Sequence, residues 1–180
     1  MRKQVNFTEW HIIKSPKLLK KRLKNKESES EQKQVIGFSA IMFFGGFILS
    51  ALDFRFGWSN VPKGVTITAA LLLLAGYGLY MEVMRENAYL SRTVEVQENK
   101  KVIDTGLYGI VRHPMYAATV LLFLSIPLVL GAWIGFIIFS NYPFLLIKRI
   151  QNEEKVLEEG LEGYKQYKEK VKYKMIPFAW

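Results

Sequence analysis

The sequence predicts an all-α integral membrane protein of about four transmembrane helices, the last two forming a tight hairpin. Three observations carry this: long stretches without charge, a proline and a glycine inside the longest of them, and an uneven spread of lysine and arginine. Half of the 180 residues are hydrophobic, yet 25 are Lys or Arg against 16 Asp or Glu, a net charge of +9. A single soluble core accommodates that combination poorly, because charged side chains are almost never fully buried unless paired. The chain separates the two kinds of residue instead. Positions 35–52, 64–81 and 115–147 contain no Asp, Glu, Lys or Arg at all.

The elements follow in order. Residues 1–34 place Trp10, Ile12, Ile13, Leu18, Leu19 and Leu23 among ten basic residues, ahead of a polar stretch, Asn25–Gln34. This segment reads as an interfacial helix on anionic lipid followed by a linker, or equally as a plain basic flank of the first span. Residues 35–84 then hold two transmembrane helices, since Val35–Leu52 and Gly64–Met81 are 18 residues each, the length at which an uncharged apolar run spans a bilayer. The first begins beyond a long polar segment and so does not read as a cleavable signal. Met115–Ile147 is 33 residues. As one helix it would reach about 50 Å, against a hydrocarbon core of roughly 30 Å. Pro127 and Gly131 lie where such a helix breaks most readily, which predicts a hairpin of about 116–130 and 132–147.

The basic residues set the orientation. Positions 1–34, 82–114 and 148–180 hold ten, five and eight Lys or Arg, whereas the 53–63 loop holds two. Four passes put the three rich segments on one face, and three passes would split them. The positive-inside tendency then makes both termini cytoplasmic.

Several function classes drop out at this level. Without a cysteine there is no disulfide scaffold, no Cys-ligated zinc or iron–sulfur site and no thiol nucleophile, and two histidines are too few for an all-histidine metal site. No nucleic-acid partner is expected, because the basic residues gather at membrane edges and no binding motif accompanies them. A transporter fits least: His113 is the only ionisable group of the usual coupling type at the edge of the spans.

The remaining segment, 85–180, carries the chemistry. Thr93–Gln97 alternates and is β-branched, as a short extended piece would be. Asp104-Thr105-Gly106 is a turn, and Pro114 suits the first turn of a helix, whose N-terminus presents backbone donors to an anionic group. Arg112-His113-Pro114-Met115-Tyr116 opens the hairpin, while Arg149, Glu153 and Glu154 follow its other end at helical spacing. A hairpin returns its ends to one membrane face, so an imidazole, a phenol, two guanidinium groups and two carboxylates should meet at the lipid–water boundary. Such a set can grip a zwitterion, carboxylate to ammonium and arginine to carboxylate. Singly, each has a plainer reading as a basic anchor, a helix-start residue or a solvated helix face. Together, bracketing one hairpin, they point to a site.

In this order the motifs resemble the isoprenylcysteine carboxyl methyltransferases, membrane enzymes related to the phospholipid N-methyltransferases. The resemblance runs from about Gln97 to Pro177. It rests on Gly106-Leu107-Tyr108, Arg112 to Tyr116, the hairpin, Arg149 with Glu153-Glu154, and Gly163-Tyr164-x-x-Tyr167 before Pro177. It implies S-adenosyl-L-methionine as methyl donor, held in a cytosolic pocket built from the 85–115 loop and the C-terminal helix. A lipophilic small-molecule or lipidated substrate would reach that pocket from within the bilayer. Carried over residue by residue, the cofactor would touch Gln97, Lys100, Lys101, Val102, Ile103, Tyr108, His113, Pro114, Met115, Tyr116 and Glu153. Arg149 would clamp the acceptor, with Arg112 and Glu154 in support. Two departures stand out: Lys100 occupies a position that is often His, and the stretch from Gln97 to Lys100 is shorter than in eukaryotic members. Carboxyl O-methylation is the first expectation. Lipid-amine N-methylation, O-methylation of a polyketide-like lipid, and a catalytically silent membrane scaffold of the same fold are the alternatives. The acceptor and the oligomeric state are not written in the sequence.

Overall fold

The computed structural model describes residues 30–87 and 102–180; the expected interfacial segment and the Thr93–Gln97 piece lie outside these. Among the described residues all regular structure is helical. We label the helices α1 (Ser30–Phe56), α2 (Lys63–Glu86), α3 (Pro114–Val129), α4 (Trp133–Phe139), α5 (Tyr142–Gly160) and α6 (Tyr164–Lys170), with a 3-10 turn at Gly106–Gly109. Three stretches are long and apolar enough to cross a membrane: Ile36–Phe56, Lys63–Glu86 and the α4–α5 run Trp133–Gly160. Only 11–28 % of each apolar window is buried within the protein, so the covering medium must itself be apolar. Pro114–Val129 is apolar but has 16 residues, about 24 Å by helical rise, short of a roughly 30 Å hydrocarbon core.

The expected hairpin is present. α3 ends just past Pro127, and the chain reverses at Gly131 (φ +77°), a left-handed conformation that favours glycine. The Ala132 N–H donates to the Pro127 carbonyl at 2.8 Å to close the turn. The returning arm departs from the expected 132–147. It is interrupted at Ser140-Asn141, and Pro143 sits in the first turn of α5, which continues unbroken to Gly160. That continuation carries Arg149, Glu153 and Glu154 away from the apolar zone on the same rigid rod as the membrane arm.

Small residues bring the helices together. On α2, Ala69, Gly76 and Val83 recur every seven residues and form the stripe buried against α3; a Cβ on Gly76 would lie 3.1–3.2 Å from Leu121 and Leu122. On α1, Gly46 and Ser50 face α4, and a Cβ on Gly135 would lie 1.8 Å from Ser50 Oγ. Close backbone approach at small residues is how helices associate in lipid, where no hydrophobic driving force operates between them.

The two ends of the bundle are built differently. At the far end, the 53–63 loop meets the hairpin tip through Asp53, which is fully buried. Its carboxylate accepts from the Ser59 N–H (2.8 Å), the Ser59 hydroxyl (2.7 Å) and the Ile134 N–H in the first turn of α4 (3.1 Å). At the basic end, where α2 finishes and α3 begins, two clusters form the core. Tyr116, Tyr142, Leu146, Ile150 and Met175 make one; Leu157, Leu161, Tyr164, Tyr167 and Val171 make the other.

Candidate active site

The register of α5 sorts the charged groups. Leu146, Ile150, Leu157 and Leu161 recur at helical spacing along one buried line, and Glu154 stands within it. A carboxylate in an apolar stripe requires a buried cation. Arg112 supplies it: its Nε donates to Glu154 Oε1 at 2.7 Å, with side-chain exposures of 4 % and 6 %. The remainder of the guanidinium is also engaged, Nη1 donating to the carbonyls of Val171 (2.6 Å) and Lys172 (2.8 Å). The same Glu154 oxygen lies 3.2 Å from His113 Nε2. Arg112, His113 and Glu154 therefore form a closed, buried lock.

One residue earlier on α5 the helix presents a different face, about 100° away. There Tyr116 joins the two groups expected to act on ligands. Arg149 Nε donates to the Tyr116 hydroxyl at 2.9 Å, and that hydroxyl donates to Glu153 Oε2 at 2.8 Å. The Glu153 side chain is 25 % exposed, and the same oxygen stands 3.8 Å from His113 Nδ1. The imidazole packs on the Tyr116 ring, with centroids 5.7 Å apart. So the two carboxylates, adjacent in sequence, separate in environment: Glu154 is sealed and Glu153 is open.

The segment leading into α3 is held from three directions. Gly106 (φ +56°) passes so close to α2 that a Cβ would lie 1.8 Å from Glu86 Oε1. The Glu86 carboxylate accepts from the Leu107 N–H at 2.9 Å. The Tyr108 hydroxyl accepts from Asn87 Nδ2 (2.8 Å), and the Tyr108 carbonyl accepts from the Tyr167 hydroxyl (2.7 Å). The chain after α6 pairs with the motif itself: the Arg112 and His113 N–H groups donate to the carbonyls of Tyr173 (3.0 Å) and Lys174 (2.7 Å). Burial raises the phenols of Tyr108, Tyr164 and Tyr167 above the ordinary tyrosine range, with nearby carboxylates adding to the shift at Tyr108 and Tyr164. All three are neutral hydrogen-bonding groups at physiological pH.

The expected site residues thus fall into four sets. Tyr116, Arg149 and Glu153 meet directly; Arg112, His113 and Glu154 lock together beside them. Pro114 is the first residue of α3 and fully buried, and Met115 packs against the Tyr116 cluster. Val102 packs on the Leu157–Tyr167 cluster, Ile103 is half-buried, and Tyr108 is anchored as above. Gln97, Lys100 and Lys101 lie outside the described residues.

Two groups escaped the sequence reading. The Asn152 Nδ2 and the Tyr164 hydroxyl are buried and, among the described residues, have no hydrogen-bond partner. Asn152 adjoins Glu153 in sequence, and the charges of Glu154, Glu153 and Arg112 all act on Tyr164. Buried polar groups are ordinarily satisfied, so both are donors open to a further polar partner. An Asn next to the paired glutamates was the available signal for the first; Tyr164 stood in the Gly163-Tyr164-x-x-Tyr167 motif but without a site role.

Comparison with known proteins identifies the family. An uncharacterized protein of Bacillus subtilis (strain 168), YpbQ, is 30 % identical over 120 residues, covering 66 % of this chain and 70 % of that one. The sequence profile of the isoprenylcysteine carboxyl methyltransferase (ICMT) family matches residues 67–159, which take in most of α2, the Gly106 turn, the whole hairpin and α5 through Glu153-Glu154. A match over that span, ending on the rod that bears Arg149 and Glu153, makes the chain a member of the isoprenylcysteine carboxyl methyltransferase family, a family of membrane methyltransferases.

Proposed function

We propose that the protein transfers a methyl group from S-adenosyl-L-methionine to the carboxylate of a lipophilic acceptor at the cytosolic face of a membrane. The observation that carries this reading is the Arg149–Tyr116–Glu153 chain, which places a cation for an acceptor carboxylate next to an open carboxylate for a cationic cofactor. The residues fit such a cofactor: Glu153 offers an acceptor for an ammonium or a hydroxyl, and Asn152 Nδ2 and the Tyr164 O–H offer unpaired donors. When bound, S-adenosylmethionine supplies a methyl already activated by the adjacent sulfonium. The protein's share is alignment and exclusion of water, worth several kilocalories of barrier in well-oriented systems. Arg149 would hold the acceptor carboxylate, which is ionised at neutral pH and surrenders no proton as its new C–O bond forms. Tyr116 would fix Arg149 and Glu153 relative to each other, and the Arg112–Glu154–His113 lock would keep Tyr116 in place from below.

In this reading α3 is a fourth pass, its shortness met by local thinning or by polar groups reaching out at its ends. Both termini and the site lie on the side of the basic segments. N-methylation of a lipid amine or a phospholipid is the second reading. The Tyr116 hydroxyl, already donating to Glu153, gives a route for the proton that such an acceptor must lose. A catalytically silent scaffold is the third.

The test uses protein in lipid nanodiscs, S-adenosylmethionine labelled on the methyl group and a total lipid extract. Label appearing in the organic phase and released by mild base as volatile methanol is the expected result. Base-stable label would move the acceptor to an amine or an ether. Cofactor binding without label would mean that the extract lacks the acceptor, and neither label nor cofactor binding would favour the scaffold. Arg149→Ala should depress acceptor use far more than cofactor affinity, and Glu153→Ala the reverse; equal losses of cofactor affinity in both would refute the division of roles.

A further inference from the structure

The chain after α6 does more than strap the Arg112–His113 backbone. From Met175 it folds into a closed turn: the Met175 and Ile176 N–H groups donate to the Trp180 carbonyl (2.9 Å each), and the Trp180 N–H donates back to the Ile176 carbonyl (3.1 Å). The inner side of this turn is apolar and packed, Met175 within the Tyr116–Tyr142–Leu146–Ile150 cluster and Trp180 against it. The outer side is apolar and bare: Ile176 is 50 % exposed and Phe178 87 %. Phe178 also has φ +63°, a left-handed backbone that a bulky residue rarely adopts. The turn therefore holds a phenyl ring outward at the expense of backbone strain, in tilted contact with the Tyr173 ring (5.3 Å between centroids) on the protein side.

The position of the turn says what meets that ring. Met175 seats it beside Leu146, at the level where α5 passes from the apolar Phe144–Ile147 to Lys148. The outward side chains thus lie at the depth where the exposed apolar surface of α5, with Phe144 70 % exposed, gives way to Lys148. Lysines accompany the turn: Lys174 Nζ lies 4.8 Å over the Trp180 ring, Lys172 leads into the turn and is exposed, and exposed Lys148 follows Ile147 on α5. Aromatic side chains framed by lysines at the end of an apolar span match the boundary between acyl chains and phosphate headgroups. We propose that the Ile176–Trp180 turn is an interfacial anchor, with Phe178 and Ile176 inserted among lipid chains and Lys148, Lys172 and Lys174 on anionic headgroups. Because the Tyr173 and Lys174 carbonyls of the same segment accept from the Arg112 and His113 N–H groups, lipid contact also steadies the backbone beside the candidate site.

The absence of cysteine allows a direct test on the full chain. A nitroxide is attached at Phe178→Cys, and separately at Ile176→Cys, in nanodiscs of phosphatidylcholine with phosphatidylglycerol. Lys165→Cys, on exposed α6, and Leu71→Cys, on the exposed apolar face of α2, are the aqueous and membrane references. The expected oxygen-to-nickel accessibility ratio at positions 176 and 178 is several-fold above that at 165 and below that at 71. Ratios equal to the Lys165 reference would overturn the proposal, since the turn would then stand in water. Dipolar broadening between labels would overturn it too, by showing a second copy of the chain over the turn. Two label sites guard against a local effect of either substitution, and neither readout depends on methyl transfer.

Discussion

Replacing Glu154 by Gln keeps the shape of the side chain and removes the only carboxylate in contact with Arg112 among the described residues. The guanidinium stays 4 % exposed, hydrogen-bonded to two backbone carbonyls and an amide oxygen but without its counter-charge. Breaking a buried pair by removing one partner costs about 3–5 kcal/mol. Here the surviving carbonyl contacts argue for the lower figure, about 3 kcal/mol. Lys168 adds little, because its ammonium is 40 % exposed and 3.7 Å from the carboxylate; an exposed pair is worth about 0.2–1 kcal/mol. For a chain of this length about 3 kcal/mol corresponds to a fall of roughly 6–12 °C in midpoint. Thermal unfolding followed by tryptophan fluorescence in a fixed detergent or nanodisc measures it. Arg112→Gln should cost a similar amount, and the double variant should be scarcely worse than either single, a non-additivity of about 3 kcal/mol. A loss below about 1 kcal/mol for Glu154→Gln, or additive losses in the double variant, would refute the buried lock.

Three further outcomes follow from the same geometry. Tyr116→Phe removes the hydroxyl between Arg149 and Glu153; stability should fall by about 1 kcal/mol, while both acceptor use and cofactor affinity drop, as separate binding and turnover assays would show. Gly106→Ala forces a Cβ into Glu86 at a left-handed backbone position and should cost at least about 1–2 kcal/mol, part of it recovered by adding Glu86→Ala; a neutral effect in thermal unfolding would contradict the close approach. Asp53→Ala strips acceptors from two N–H groups and a hydroxyl at the far end, for a loss on the order of 3 kcal/mol. Because that end is remote from the site, the affinity for S-adenosylmethionine, read by calorimetry on folded protein, should not change.

How much was legible beforehand depended on the kind of signal. Uncharged runs marked α1, α2 and the hairpin because the requirement that apolar side chains avoid water is local and additive along a chain. Pro127 and Gly131 marked the reversal because each restricts or frees the backbone at its own position. The end of the returning arm was misplaced: the apolar run stops at Ile147, but the helix continues to Gly160, held by the buried line through Ile150, Glu154 and Leu157 rather than by lipid. The motif residues named the site as a set, and the family resemblance set Glu153 apart from Glu154, but neither gave the physical reason for the difference.

The sequence by itself determined that the chain is helical and built into a membrane, where it reverses, and which handful of polar side chains gather at the basic end. Only the tertiary structure decided that Glu154 is sealed against Arg112 while Glu153 stays open beside Tyr116 and Arg149, and that the chain after α6 returns to satisfy the Arg112–His113 backbone. The physical reason is that helix periodicity turns neighbouring residues about 100° apart, and which of those directions is buried depends on partners distant in the chain. Val171 and Tyr173 announce nothing in the sequence; their carbonyls matter because folding brings them within 3.0 Å of donors some 60 residues away.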